Sequence, residues 1–188
     1  MAAWRSLAAA RSLALADAGL VRFYDPEHGG FWQTAAGASN LILRMKGDYD
    51  GAEPSGSSVI CLALLKLGRA TGRNDLIEAA EKTLRLFSPR LAQLPQALPF
   101  MLQALDFSLE EPKRAVVAGE IANPGTQILI GPIHSVYQPN KVVLGNAGAV
   151  EPFAKTLPAG DDAAVYICSG TACQAPTKDP HRIKELLS

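Results

Sequence analysis

The apolar pattern changes character near residue 112, and that change limits what the chain can become. Before it, Ala and Leu recur at helical spacing; after it, short β-branched runs alternate with Gly and Pro. Residues 1–111 are therefore expected to form helical hairpins and residues 112–188 a small α/β appendage, mainly α in sum. A chain of 188 residues has room for one domain, or two small ones, around a real core.

Four helices are expected in the first part. Residues 3–18 are rich in strong helix formers, with Trp4, Leu7, Ala8 and Leu15 as buried positions and Gly19 as the stop. Residues 57–70 follow the cap-like Ser55-Gly56-Ser57 and carry Ile60, Leu64 and Leu67 on one stripe. Residues 75–87 give the cleanest amphipathic signal, with Leu76, Ile77, Ala80, Leu84 and Phe87 opposite Glu78, Glu81, Lys82 and Arg85. Residues 97–108 repeat it with Leu98, Met101, Leu102 and Leu105, and Pro99 fits only near a first turn. Residues 71–73 and 88–93 read as short turns. The connection over residues 20–55 is long for packed helices, and loops of that length are commonly functional.

In the second part, residues 115–118, 141–144 and 163–168 read as strands. A crossover helix is expected over 125–137, interrupted or delayed by Gly131 and Pro132. A closing helix runs over 179–187 with Asp179 as cap and Pro180 at its first position.

Composition removes several function classes. Eighteen Lys+Arg balance eighteen Asp+Glu, which gives no support to nucleic-acid binding or adhesion to an anionic membrane. The longest aliphatic run, Val59 to Leu65, ends at Lys66, far short of the roughly 20 residues of a membrane span. The Ala/Leu-rich start is interrupted by Arg5 and Arg11 and reads as helix rather than signal peptide. A soluble, cytoplasmic protein is expected. Three cysteines make neither a disulfide framework nor a zinc quartet. His28, His134 and His181 are dispersed without metal-ligand spacing, and no G-x-G-x-x-G is present. No metal and no cofactor are expected.

The chemistry-bearing residues concentrate between Gly29 and Ser55. They comprise Gly29-Gly30-Phe31-Trp32, then Arg44, Lys46-Gly47-Asp48, Asp50, Ala52-Glu53-Pro54-Ser55. With Leu98 to Leu105, His134 to Val142, Tyr166-Ile167-Cys168, Cys173 and Asp179-Pro180, this ordered set resembles the C-terminal part of the thioredoxin-domain-containing, spermatogenesis-associated type of protein. The resemblance spans almost the whole chain. It implies that the helices are the last hairpins of an (α/α)6 toroid similar to six-hairpin glycosidases and N-acylglucosamine 2-epimerases. It also implies an N-terminal thioredoxin-like domain, whose C-x-x-C motif this chain lacks. Twelve helices make such a toroid, so the expectation is a fragment or split product whose partners are the thioredoxin-like and remaining toroid portions.

Read from the residues, the loop has the make-up of a sugar-facing surface, and a small-molecule sugar is the expected ligand. Phe31 and Trp32 offer flat faces to a pyranose, with His28, Arg44 and Lys46 as further binding residues. Asp50 and Glu53, then Asp48, are the candidate catalytic carboxyls, because glycosidic hydrolysis uses two on opposite sides of the bond. The plainer alternative makes Gly-Gly-aromatic a tight turn, the carboxylates caps or ion-pair partners, and the whole a non-catalytic structural or interaction module. Cys168 and Cys173 allow a loop-closing disulfide or a redox pair, and in a cytosol they are expected to be reduced. Cys61, on an apolar helix face, is expected in the core.

Overall fold

The computed structural model describes residues 2–38, 41–120, 122–160 and 162–188, with backbone only up to residue 8. Two compact units emerge, one of residues 11–69 and 73–109, the other of residues 1–10, 70–72 and 110–188.

The first unit is helical. Helix α1, Ala2–Phe23, contributes its later turns; α2 is Gly56–Thr71, α3 Asn74–Gln93 and α4 Pro99–Leu109, with a short 3-10 turn at Pro95–Ala97 before α4. Gly19 does not stop α1, which continues to Phe23. Leu15 is 74% exposed rather than buried, and the side chains of Trp4, Leu7 and Ala8 lie outside the described residues. The buried face of α2 is centred on Cys61, Leu65 and Gly68, with Leu64 beside it, so Ile60 and Leu67 are only half-buried. Gly68 explains the rotation: a Cβ there would stand 2.6 Å from Ile77, so the missing side chain admits α3 at close range.

Helix α3 buries Leu76, Ala80, Leu84 and Phe87 as its spacing predicts, leaves Ile77 half-buried, and runs on through Pro89 to Gln93, where short turns are expected. Pro89 lacks the N–H that would bond the Arg85 carbonyl. The Ser88 hydroxyl donates to that carbonyl at 2.8 Å, so the helix passes its proline without an orphaned acceptor. Pro99 occupies the first turn of α4, as its chemistry requires.

The second unit is an α/β layer. Strand β1, Arg114–Ala118, lies parallel to β2, Val142–Gly145, with α5, Pro124–Ser135, as the crossover. Strand β3, Ala164–Ser169, runs antiparallel to β1 on its other side, and the two-residue β4, Ala172–Cys173, closes the order β2-β1-β3-β4. One sheet face, Ala115, Val117, Val165 and Ile167, packs with Leu129 and Ile133 of α5 and with Ile183 and Leu187 of the closing helix α7, Pro180–Leu187. Asp179 caps α7 by accepting from the His181 N–H at 2.9 Å. Gly131 and Pro132 do not interrupt α5, which starts at its Asn123 cap and runs unbroken to Ser135. Lys141 donates to the carbonyls of Ile133 and Val136 at that helix's end, where a cation meets the negative pole. A further short helix, α6, Pro152–Thr156, is capped by Glu151 and has no strong periodic signal.

Candidate functional site

The loop between α1 and α2 begins with a turn that its own residues build. Asp25 Oδ1 accepts from the Glu27 and His28 backbone N–H groups at 2.9 and 3.1 Å, and the Asp25 N–H donates to Gly30 O at 3.0 Å. Gly29 and Gly30 both hold positive φ, 80° and 79°. At Gly29 a Cβ would meet the Lys82 carbonyl oxygen at 2.7 Å, and the Gly30 N–H donates to Thr83 Oγ1 at 3.1 Å. The glycine pair thus presses this turn onto α3. A Lys82 ammonium donates to Pro26 O from the same helix.

Below the turn, buried Asp25 pairs with half-buried Lys46. Lys46 Nζ lies 2.8 Å from Asp25 Oδ2 and 2.6 Å from the Gly29 carbonyl. Burial raises the cost of charge on Asp25, yet the Lys46 ammonium and the two backbone N–H groups outweigh it and hold the carboxyl far below its ordinary range. Lys46 also stands over the Trp32 ring at 4.5 Å, with the Arg44 guanidinium 4.9 Å from the same ring. Arg44 donates to the Thr34 carbonyl at 2.8 Å. Phe31 is 3% exposed, its ring 5.2 Å from Tyr24, so its face is taken up inside the core. Trp32 is half-buried. His28 is exposed, its side chain 64% accessible, with Nδ1 3.4 Å from Asp25 Oδ2.

The three candidate carboxylates lie in different surroundings. Asp50 is buried and accepts from the Ser55 N–H at 2.8 Å and from the first N–H groups of α4, Phe100 at 2.9 Å and Met101 at 3.3 Å. Burial opposes its charge, but these bonds and the Ser58 hydroxyl keep its pKa below the usual value. Asp50 is therefore the cap of α4, supplied from fifty residues away, and ties that helix to the start of α2. Asp48 is exposed and lies 3.8 Å from Arg90 Nε, and Glu53 is exposed. Among the described residues no pair of these carboxylates shares a partner. The loop brings His28, Trp32, Arg44 and Lys46 together around Asp25, and it does not gather Asp48, Asp50 and Glu53.

Asp25, Thr83 and Ser58 complete the site without standing among its sequence candidates. Asp25-Pro26 ahead of two glycines is an Asx-turn signal and was legible; Thr83, fifty-three residues from Gly30, carried none.

Cys168 and Cys173 stand directly opposite each other across β3 and β4 and are joined as a disulfide, against the expectation of free thiols. The strand register does what the four-residue gap alone left open. Cys61 is buried, donates to the Ala80 carbonyl at 3.4 Å and has its pKa pushed up to about 12 by burial. His134 and His181 are exposed on the second unit. Among the described residues no group of three or more His, Cys, Asp or Glu side chains is placed to hold a metal ion. Nor is any described helix long and apolar enough to cross a membrane.

A helical unit bearing a long, internally bonded loop, together with a four-stranded α/β unit, defines the class of chain. No family model matches it. Its sequence is 37% identical over 174 residues to the Homo sapiens protein called spermatogenesis-associated protein 20, covering 88% of this chain and 22% of that relative. The Mus musculus and Rattus norvegicus proteins of the same name are each 36% identical over the same coverage. The chain belongs to the spermatogenesis-associated protein 20 family as a counterpart of its C-terminal part. It spans about a fifth of the length of these relatives.

Proposed function

We propose that this chain serves as a non-catalytic docking module of a larger protein, its buried loop carboxylates Asp25 and Asp50 holding a turn and a helix end while an adjoining apolar strip meets the rest of that protein. The observation that carries this is the run Leu41, Ile42, Leu43 and Met45, all exposed, with Ile42 fully so. A run of large apolar side chains left open to solvent favours an interaction site. The four residues belong to the same loop whose buried carboxylates, Asp25 and Asp50, are bonded internally. Its partner is the remainder that the longer relatives carry, by resemblance a thioredoxin-like domain and the other hairpins of an α/α toroid. A cytoplasmic setting goes with this reading.

The chain alone is expected to bind an apolar-surface dye and to self-associate. Ile42→Ser with Leu43→Ser should suppress both without lowering the melting temperature. Co-expressed with the preceding part of the human relative, the unaltered chain should co-purify and the double variant should not. A monomeric chain that ignores the dye and fails to co-purify overturns the proposal.

A carbohydrate role is the second reading, favoured by exposed Asp48, Glu53 and His28 on the loop that also carries half-buried Trp32. It predicts a tryptophan fluorescence response to mono- or disaccharides that Glu53→Gln abolishes with folding intact. Silence of the protein toward such a panel ends it.

A further inference from the structure

The Cys168–Cys173 bond closes a separation of only five residues, so as a staple it restrains little of the unfolded chain. The backbone already holds its two ends together. Ser169 pairs with Ala172, the Gln174 N–H donates to Ile167 O at 2.9 Å, and Arg114 donates to the Gly170 carbonyl at the hairpin tip. The two cysteines therefore remain opposed whether or not sulfur joins sulfur. That is the geometry of a bond that can open and close in place.

Its two sulfurs are not equivalent. Cys168, on β3, is 1% exposed, whereas Cys173 lies on the two-residue edge strand and is partly open to solvent. Arg114 stands directly opposite Cys168 on β1 and so shares its sheet face. Its guanidinium reaches Glu151 at 2.8 Å through one terminal nitrogen and Gly170 through the other. Its Nε–H is buried with no hydrogen-bond partner among the described residues. A buried donor without an acceptor is costly, and this one belongs to the side chain that extends from beside Cys168 toward the hairpin tip.

We propose that Cys168–Cys173 is an exchangeable disulfide that takes two electrons from a dithiol, with Arg114 positioned to receive the charge of the departing sulfur. The attacking thiolate bonds to Cys173 Sγ, the Sγ–Sγ bond breaks, and its electron pair leaves on Cys168 as a thiolate, on the sheet face that Arg114 shares. The second thiol of the reductant then attacks its own sulfur in the mixed disulfide and releases Cys173 as a thiolate. The dithiol ends as a disulfide and its two protons pass to the two cysteines. In a reducing compartment such a bond is transient rather than structural.

The unaltered, folded chain suffices for the first test. Equilibrated in glutathione redox buffers and trapped with an alkylating reagent, Cys168 and Cys173 should interconvert as a single two-electron couple, while buried Cys61 serves as an inert third thiol. Glutathione trapped in mixed disulfide should map to Cys173. A bond that resists dithiothreitol until denaturant is added, or a mixed disulfide found on Cys168, overturns the assignment. Arg114→Gln separates positioning from scaffolding: loss of a mere clamp loosens the hairpin and speeds reduction by dithiothreitol. Loss of the charge partner slows it, by about tenfold, with Arg114→Lys recovering part of the rate. Faster or unchanged reduction in Arg114→Gln removes Arg114 from the proposal.

Discussion

Single side chains in the loop bear more of the fold than their number suggests. Buried Asp25 pairs with half-buried Lys46, and removing one partner leaves the other's charge without its counter-charge. Asp25→Asn is expected to destabilise by about 1–3 kcal/mol in chemical denaturation. Asp50→Asn keeps one acceptor but turns an amide N–H₂ toward backbone donors, at a cost of about 1–3 kcal/mol. If Asp50 served only a reaction, the same variant would melt unchanged. Gly29→Ala adds a Cβ to a positive-φ backbone facing a carbonyl that cannot swing away. Its expected loss is about 1–3 kcal/mol by the same measurement. At Gly30 the obstacle is the far end of Leu86, so strain in φ contributes more than contact.

At the scale of the element, helices were legible where their apolar period and caps agreed, and less so where a tertiary partner overrode a local rule. The Leu76–Phe87 stripe, the Asp179-Pro180 start of α7 and Pro99 in the first turn of α4 all follow from local chemistry. The end of α1, the length of α3 and the continuity of α5 do not, because Gly19, Pro89 and Pro132 lower helix propensity without forbidding it. Ser88→Ala leaves the Arg85 carbonyl without its substitute donor, and should destabilise by about 1 kcal/mol. The acidic limit of stability also belongs here, since Asp25 and Asp50 anchor a turn and a helix end. Both carboxyls titrate lower in the folded chain than in the unfolded one. Their contribution is complete above about pH 4 and is lost as pH falls through the folded-state values. Denaturant midpoints should therefore decline below about pH 4, and less steeply in Asp25→Asn and Asp50→Asn.

For the molecule as a whole, the division of labour between pattern and contact is plain. Apolar spacing along 188 residues was enough to set helices before strands, to locate the three longer strands and to mark the 20–55 connection as unusual, whereas the sheet order β2-β1-β3-β4 came from the fold. The reason is that periodicity and turn chemistry act over a few residues and need no knowledge of the partner. The roles of individual loop side chains needed the folded chain. Phe31 and Trp32 are neighbours, yet one ring is enclosed and the other half-open; Asp48 and Asp50 are two residues apart, yet one meets solvent and the other a helix end. Those fates hang on α3 and α4, about fifty residues downstream, and on a strand register that sets Cys168 against Cys173. Long-range packing supplies such partners, and a string of residue types carries no record of the distances between them.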